Sequence, residues 1–571
     1  MRHALVRSAS VTSTSRIARS AAVALAFGAA MACNGDRAKS AGGETGGTLI
    51  ISAPADPDIL FPPLVATIEG KRSVDLVFDH LAEIGDSLNT IGDHGFTPVL
   101  AEKWDWAADS LSIAFHLNPK ARWHDGAPVR AEDVKLTYEL TVDPIVNSQV
   151  KSNIPDIDSV SVRDSLTPVI WYKRRTPEQF FEAVYNLSIL PAHILSKIPR
   201  ADLKSAEFGR HPIGTGRFRF AKWTPGASVE FVADTLNYRG RAKLDRVITL
   251  VSPDYTTAAT KLFGGEADFF ENLRADNIGE IAKHPQLTTH RRAAFDYGFM
   301  AFNLTDHASS RPHPIFADRG VRRALTMAMD RAAMVKSVMD TLGMLSVGPV
   351  TADLGGAPGA RQIPYDTAAA ARLLDSLGWK DTNGDGIREK GGRPLAFTLI
   401  VPTSSKVRMD FSVLIQEQLK RIGAKVTLDP LEFNTFVQRQ GARDFDATLL
   451  AWSADPSPSG GLKQAWGSAG LPSKGGNNYG SYVSPAFDAQ VDSGAASFDP
   501  AAARRHYAAA YQTIIDDAPA VWLYEPHPFF GIAKRIRPVG VRGDAWWAHL
   551  ADWTVDPAQR IPRDEIGLRP R

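Results

Sequence analysis

The stretch AWSADPSP, residues 451–458, sets a carboxylate at the mouth of a strand. An apolar run, FDATLLAW, ends at Trp452; Asp455 follows, and Pro456 and Pro458 then stop the chain. A carboxylate so placed has two uses. It caps the turn that the prolines make, or it receives a cation brought to the end of the strand. Opposite charges ~4 Å apart attract by about 4 kcal/mol at an effective dielectric of roughly 20, before desolvation is counted. Trp452 has two options as well, a place in the core or a face against a guest.

Covalent chemistry is harder to find. The sequence has no Gly-x-Ser-x-Gly elbow and no His-Glu-x-x-His. Among 14 histidines, His307 and His313 stand close together in a proline-rich loop, but without a third ligand a solvated loop fits them better than zinc. The loop DTNGDGIRE puts Asp381, Asn383, Asp385 and Gly386 at the first key positions of a calcium loop, with Glu389 at the ninth. Its twelfth position, which should supply a bidentate glutamate, is Gly392, so a polar turn and a weak calcium site both remain open. No other metal and no cofactor is expected. Carboxylate pairs for glycoside cleavage are defined by spatial separation, so an exported hydrolase stays a rival.

These side chains depend on the elements that carry them, and 395–455 is the most legible region. LAFTLIVP reads as a strand. DFSVLIQEQLKRIG reads as a helix with Phe411, Leu414, Ile415, Leu419 and Ile422 inward and Gly423 at its C′ position. KVTLDPL is a strand, FNTFVQRQ a short helix and FDATLLAW a strand. Strand–helix–strand–helix–strand implies a parallel, helix-covered sheet. Such sheets bind ligands beyond the carboxyl ends of their strands, the position of Asp455 in the sequence.

Elsewhere TLIIS (48–52) and FMAFNL (299–304) read as strands, and SVDLVFDHLAEI (73–84) spaces Val74, Val77, Phe78 and Leu81 as a helix does. LSIAFHL alternates Leu111, Ile113, Phe115 and Leu117 on one side. HPIGTGRFRFAKWTPGASVEFVAD is two strands joined at Pro225-Gly226; its Gly-x-Gly, 214–216, leads into a strand and offers no helix N-terminus to a phosphate. DRGVRRALTMAMDRAAMVKSVM is helical, with Val321, Ala324, Leu325, Ala328, Ala332, Val335 and Met339 on one face, and its methionines read as core.

Composition limits the function classes. The chain has 571 residues, 44% hydrophobic and 22% charged, material for two or three globular lobes. Its 65 basic and 63 acidic residues leave no nucleic-acid footprint. Arg2, Arg7, Arg16 and Arg19 precede a small apolar run, Ala21–Ala32, too short to span a bilayer, which takes about 20 apolar residues. Residues 1–32 are therefore expected to be an export signal. The one cysteine, Cys33, follows in AMAC, which resembles a lipobox with Ala30 where leucine is usual; the alternative is a plain signal with an incidental thiol. Residues 33–47 read as a Gly-rich tether, lipid-anchored at Cys33.

Taken in order from about residue 48 to 535, several stretches resemble the extracytoplasmic solute-binding proteins of the peptide/nickel ABC importers. They include PVLAEKWDW, LSIAFHLNPKARWHDGAPVRAEDV, PIGTGRFRFAKWTPG, FNL with DRGVRRALTMAMDR, YDTAAAARLLDSLGWKDTNGDGIRE, IQEQLKRIGAKVTL and FDATLLAWSADPSP. The resemblance implies an α/β, bilobed periplasmic-binding-protein-like fold with an additional subdomain and an interlobe ligand cleft. Lobe I would take 45–72, 195–297 and 521–571, the additional subdomain 73–194, and lobe II 298–520, with hinge crossings at 299–304 and near 521–524.

The function implied is binding without catalysis. A monomer in the periplasm, anchored to a membrane by its lipid, would capture a short peptide and deliver it to an ABC permease and its ATPase. Asp455 matches the aspartate that pairs with the peptide's terminal ammonium, with Ala451 replacing the usual glycine. TIEGKRSVDLVFDHL resembles the segment lying along the peptide backbone; it points to Glu69 and Gly70, where a peptide added as a strand would find main-chain partners. Trp452, Asn303 at a hinge strand and Tyr479 after GGNN are the remaining expected contacts. A nickel chelate, an opine or a sugar is the rival cargo, and a receptor or chaperone without transport the rival role.

Overall fold

The computed structural model describes residues 45–566, apart from Pro253, Asn272, Asp455 and Gly475. The export signal, Cys33 and nearly all of the tether lie outside the described residues, and so does Asp455. No helix among the described residues is long and apolar enough to cross a membrane.

Strand β1 (Thr48–Ala53) lies inside a seven-stranded sheet and pairs in parallel with strands 246–251 and 269–270. The sheet gathers strands from 48–53, 218–251, 269–291 and 529–533, segments far apart in the chain. Asp268, 1% exposed, ties β1 and the 269–291 segment to the chain around and beyond 529–533. It accepts the Ile50 N–H, two guanidinium nitrogens of Arg535 and one of Arg563.

Helix α1 (Ile68–Val77) starts ahead of the periodic stretch that begins at Ser73, because the Thr67 hydroxyl caps it by accepting the Gly70 N–H. It stops at Val77, leaving Phe78 and Leu81 buried in extended chain beyond it. The Gly214-x-Gly216 segment crosses its end. The Gly216 N–H bonds the Val77 carbonyl at 2.8 Å, and a Cβ at Gly214 would lie 1.9 Å from that oxygen. Close backbone approach, with no phosphate involved, is what these glycines permit.

Residues 101–106, 112–117, 157–164 and 167–172 form a separate antiparallel sheet, next to which runs helix α2 (Gln179–Tyr185). In the strand 112–117, Ser112 and Ala114 are buried along with Ile113 and Phe115. The alternation in the sequence therefore does not mark a wet face.

The third layer is a six-stranded sheet containing β2 (Asp296–Phe302), β3 (Ala396–Pro402), β4 (Lys425–Leu431), β5 (Ala447–Ser453) and β6 (Ala520–Pro526). β3 runs parallel to both β4 and β5, as the strand–helix alternation requires, while β2 lies antiparallel between β5 and β6. Helix α3 (Lys406–Lys420) crosses from β3 to β4 with Phe411, Ile415 and Leu419 buried, and Gly423 then turns the chain at φ +77°. Helix α4 (Pro458–Ala465) follows β5. The helical stretch after residue 318 is two helices, 319–327 and 331–339, each capped by an aspartate, Asp318 and Asp330. The break resets the helical phase, so Ala332 is exposed and Met334 is buried in its place.

Candidate functional site

β3 and β5 both end on one edge of the six-stranded sheet, β2 begins there, and β6 ends there. The chain enters β2 from strand 287–291 and leaves β6 for strand 529–533, both in the seven-stranded sheet. Each lobe thus connects to the other along the edge where a parallel sheet receives ligands.

The side chains at this edge are aromatic and charged. Trp452 stacks on Tyr479, ring centroids 6.2 Å apart and planes 22° from parallel. Tyr297 stands opposite Trp452 in the β2–β5 register. Tyr297 and Trp452 line a cavity of about 640 Å³, together with Pro456, Leu462, Gln464 and Tyr511. Burial pushes the Tyr479 phenol above its ordinary range.

Asp296 pairs in register with Ser453. Burial pushes its carboxyl up against the opposing effects of Arg292 and the Ser453 hydrogen bond, and Glu271, just past strand 269–270 of the seven-stranded sheet, adds a like charge. Glu271 accepts the Trp546 indole N–H at 2.5 Å and lies 3.7 Å from Arg72, whose guanidinium sits 5.7 Å from the Trp546 ring centre. Arg72 is 2% exposed, and its Nε and Nη2 have no hydrogen-bond partner among the described residues. Burial lowers its pKa, with Glu271 and Glu69 resisting. Arg408, in the first turn of α3, likewise has a buried, unpartnered Nε; burial lowers its pKa and neighbouring Tyr524 opposes that. None of these four charged residues was anticipated from the sequence. Arg408 did carry a signal, because a cation in the first turn of a helix works against the macrodipole.

The expected contacts divide. Trp452 and Tyr479 come together as described. Glu69 lies in the first turn of α1, 8% exposed. Gly70 has a different task from the one expected. Its N–H is taken by Thr67, and a Cβ there would lie 2.2 Å from an Asp58 carboxylate oxygen. Residues 68–77 form a helix whose backbone bonds are internal, so they offer no strand edge to a peptide.

Asn303 is a second correction. It lies past the far end of β2, fully buried, donating to the Arg443 and Phe445 carbonyls at 3.1 Å each and accepting the Thr305 N–H. Its amide satisfies backbone at the edge opposite the cleft.

The acidic loop brings carboxylate oxygens of Asp381, Asp385 and Glu389 within 4.8 Å of one another. Most of their capacity goes to the turn itself. Asp381 accepts the Gly384 and Gly386 N–H groups, Asp385 accepts that of Ile387, and Asn383 accepts that of Asp385. The two loop histidines separate. The His313 Nδ1 accepts the Ile315 and Phe316 N–H groups, leaving Nε2 to donate to Asp446, while His307 faces Asp444. A further cavity of about 950 Å³ lies between α1, the 217–239 region and the chain near 545. Its charges pair locally, as Lys71–Asp75, Arg239–Asp79 and Arg542–Asp544.

The model of the family described as bacterial extracellular solute-binding proteins, family 5, middle, matches residues 95–474. The oligopeptide-binding protein AppA of Bacillus subtilis is 30% identical over 519 residues, covering 88% of this chain and 92% of the relative. The solved structure of AppA in complex with a nonapeptide superposes with a TM-score of 0.75 at 28% identity, over 90% of this chain and 99% of that one. NikZ of Campylobacter jejuni, solved with a nickel–histidine complex, matches with a TM-score of 0.76 at 23% identity, over 89% and 99% of the two chains, a likeness of fold.

Proposed function

The chain belongs to the bacterial extracellular solute-binding proteins of family 5, and from that premise we propose that it captures short peptides between its lobes for an ABC importer. The observation that carries the reading is the edge where β5 ends, with Trp452, stacked on Tyr479, lining a cavity at the root of both interlobe connections.

Recognition divides among three kinds of group. The aromatic cavity takes an apolar side chain, where burial alone contributes ~1.5–3 kcal/mol. Asp455 meets the terminal ammonium. Arg408, with part of its guanidinium unpartnered, meets a carboxylate of the ligand. A peptide held from both lobes stabilises the shut state by its differential affinity for that state. The protein itself makes and breaks no bonds.

Because 296–302 and 520–526 both lie in the six-stranded sheet, the expected lobe bounds shift by a few residues: lobe I takes 45–72, 195–295 and 527–571, the additional subdomain 73–194 and lobe II 296–526. After removal of residues 1–32, Cys33 carries the lipid that holds a monomer to the membrane on the periplasmic side, beside its permease and ATPase. Radiolabelled palmitate incorporated by the wild type and lost in Cys33→Ser tests the anchor. The binding function is tested by titrating purified protein with a pool of mixed-sequence peptides of three to nine residues, then with nickel–histidine. Saturable binding of peptides alone is expected; binding of the chelate alone overturns the peptide assignment.

A further inference from the structure

One carboxylate joins the additional subdomain to lobe II. Glu178, the residue that precedes α2, accepts the Thr90 hydroxyl on Oε1 at 2.6 Å. Its other oxygen, Oε2, accepts the hydroxyls of Ser457 and Ser459 at 2.7 Å each. Thr90 belongs to the same subdomain, whereas Ser457 ends the turn from β5 as the cap of α4 and Ser459 lies in the first turn of that helix. Ser457 is held at both ends. It donates to Glu178 while accepting the Gly460 N–H as the cap of α4.

The same seam carries a second contact, with the Arg175 guanidinium 4.3 Å from the Phe498 ring centre. Ile91, next to Thr90, packs against the aromatic cluster of lobe II. The two parts of the seam are far apart in the chain, so these contacts exist only while the subdomain and lobe II are apposed. Thr90 lies on the Glu178 side of the seam and the two serines on the other.

We propose that Glu178 is a positioning residue for ligand capture, gripping Ser457 and Ser459 so that the ligand-binding turn of lobe II is locked against the additional subdomain when the lobes shut. Hydrogen bonds to an ionised carboxylate are about twice as strong as neutral ones. Bonds present only in the shut state slow reopening and leave first encounter unaffected. The inference rests on the reading that the ligand lies at the end of β5.

The test uses the full mature chain as wild type, Glu178→Gln, Glu178→Ala, Ser459→Ala and the double variant Glu178→Ala/Ser459→Ala. Ser459→Ala touches only the lobe II side of the contact, so it remains informative if Glu178→Ala folds poorly. Amide hydrogen exchange over 88–91 and 456–465 is measured without ligand, and release of a mixed-sequence nonapeptide pool is followed by stopped-flow tryptophan fluorescence. Expected results are faster exchange at 456–465, release about tenfold faster in Glu178→Ala and roughly threefold faster in Ser459→Ala. Association rates stay unchanged, and the double variant is no worse than Glu178→Ala alone, as a shared contact requires.

If the pool binds but neither release nor exchange changes, or if the two substitutions act additively, the latch is overturned and the peptide reading stands. If the wild type binds no peptide, exchange alone decides. Faster exchange at 456–465 upholds the latch while the peptide reading fails; unchanged exchange removes both.

Discussion

Trp452 and Tyr479 hold their rings 22° from parallel with centroids 6.2 Å apart, and Trp452 is part of the wall of the cavity where β5 ends. The Tyr479 hydroxyl reaches only as far as Asn477, at 3.3 Å, so the ring face is its main asset. Trp452→Ala should therefore lower affinity for the peptide pool about tenfold, the loss of one aromatic contact worth ~1.4 kcal/mol. Tyr479→Phe should change it less than twofold. Isothermal titration of both variants checks the contrast, and a Trp452→Ala protein that binds like the wild type would remove the aromatic pair from the site.

Asp455→Asn should weaken peptide binding by one to two orders of magnitude, roughly 1.4–2.8 kcal/mol. The variant should have no further effect on peptides whose amino terminus is acetylated, since these bring no ammonium to the site. Equal losses for free and acetylated peptides would assign the residue to the turn made by Pro456 and Pro458.

Arg408→Gln should act at the opposite end of the ligand. The guanidinium is half-buried, and no ion pair satisfies it among the described residues. Free-carboxylate peptides should lose about tenfold in affinity while amidated ones lose little, because a charge-assisted hydrogen bond is given up only by the former. Titration of one sequence in both forms, against wild type and variant, measures the difference.

Local pattern revealed the parallel sheet and left the seven-stranded one hidden. Between β3 and β5, each strand is followed by a helix, the first returning the chain to β4 beside β3 and the second carrying it back across β3 to β5, so every crossover is local in sequence although the spatial order is β5-β3-β4. Phe269 and Phe270, by contrast, pair with Ile532 and Gly531, and no local spacing encodes a partner so distant. α1 was placed late for another reason: its start depends on the Thr67 cap and on Asp58 packed above Gly70. At the site, residue type pointed to Trp452 and Tyr479, which the fold brings together. Asn303 misled because a buried asparagine serves backbone carbonyls as readily as ligands, and Arg72 and Glu271 meet only through the tertiary fold.

Glu182, in α2, gives the fold a pH dependence. Burial, with the charges of Asp156 and Glu178 added, pushes its carboxyl up to about 8. A folded-state pKa above the unfolded one means that the native state holds the proton more tightly. The stabilisation is fully present below the unfolded pKa and is lost as pH rises toward 8. Glu182→Gln, which cannot ionise, should match the wild type near pH 5 and exceed it near pH 8.5 by an amount on the order of 2–4 °C in Tm. Thermal unfolding at the two pH values checks this; an equal difference at both would assign the effect to packing.

The strongest stability effect should come from Asp268, remote from the ligand. Its carboxylate neutralises Arg535 and Arg563 and accepts the Ile50 N–H, in a place with 1% exposure. Asp564 shares Arg535, bonding it at 2.6 Å, and also accepts the Thr48 N–H, so both acids clamp β1 to the C-terminal segment. Asp268→Ala leaves a buried guanidinium facing one carboxylate in place of two and an orphaned N–H, and removing one partner of a buried pair costs about 3–5 kcal/mol. Because β1 sits between strands 246–251 and 269–270, the loss loosens lobe I as a whole. Urea unfolding should show a lower midpoint, and hydrogen exchange should show faster exchange at 48–53 than at 447–453. Equal acceleration in both strands would mean that the two lobes unfold as one cooperative unit, and that the clamp supports the entire molecule.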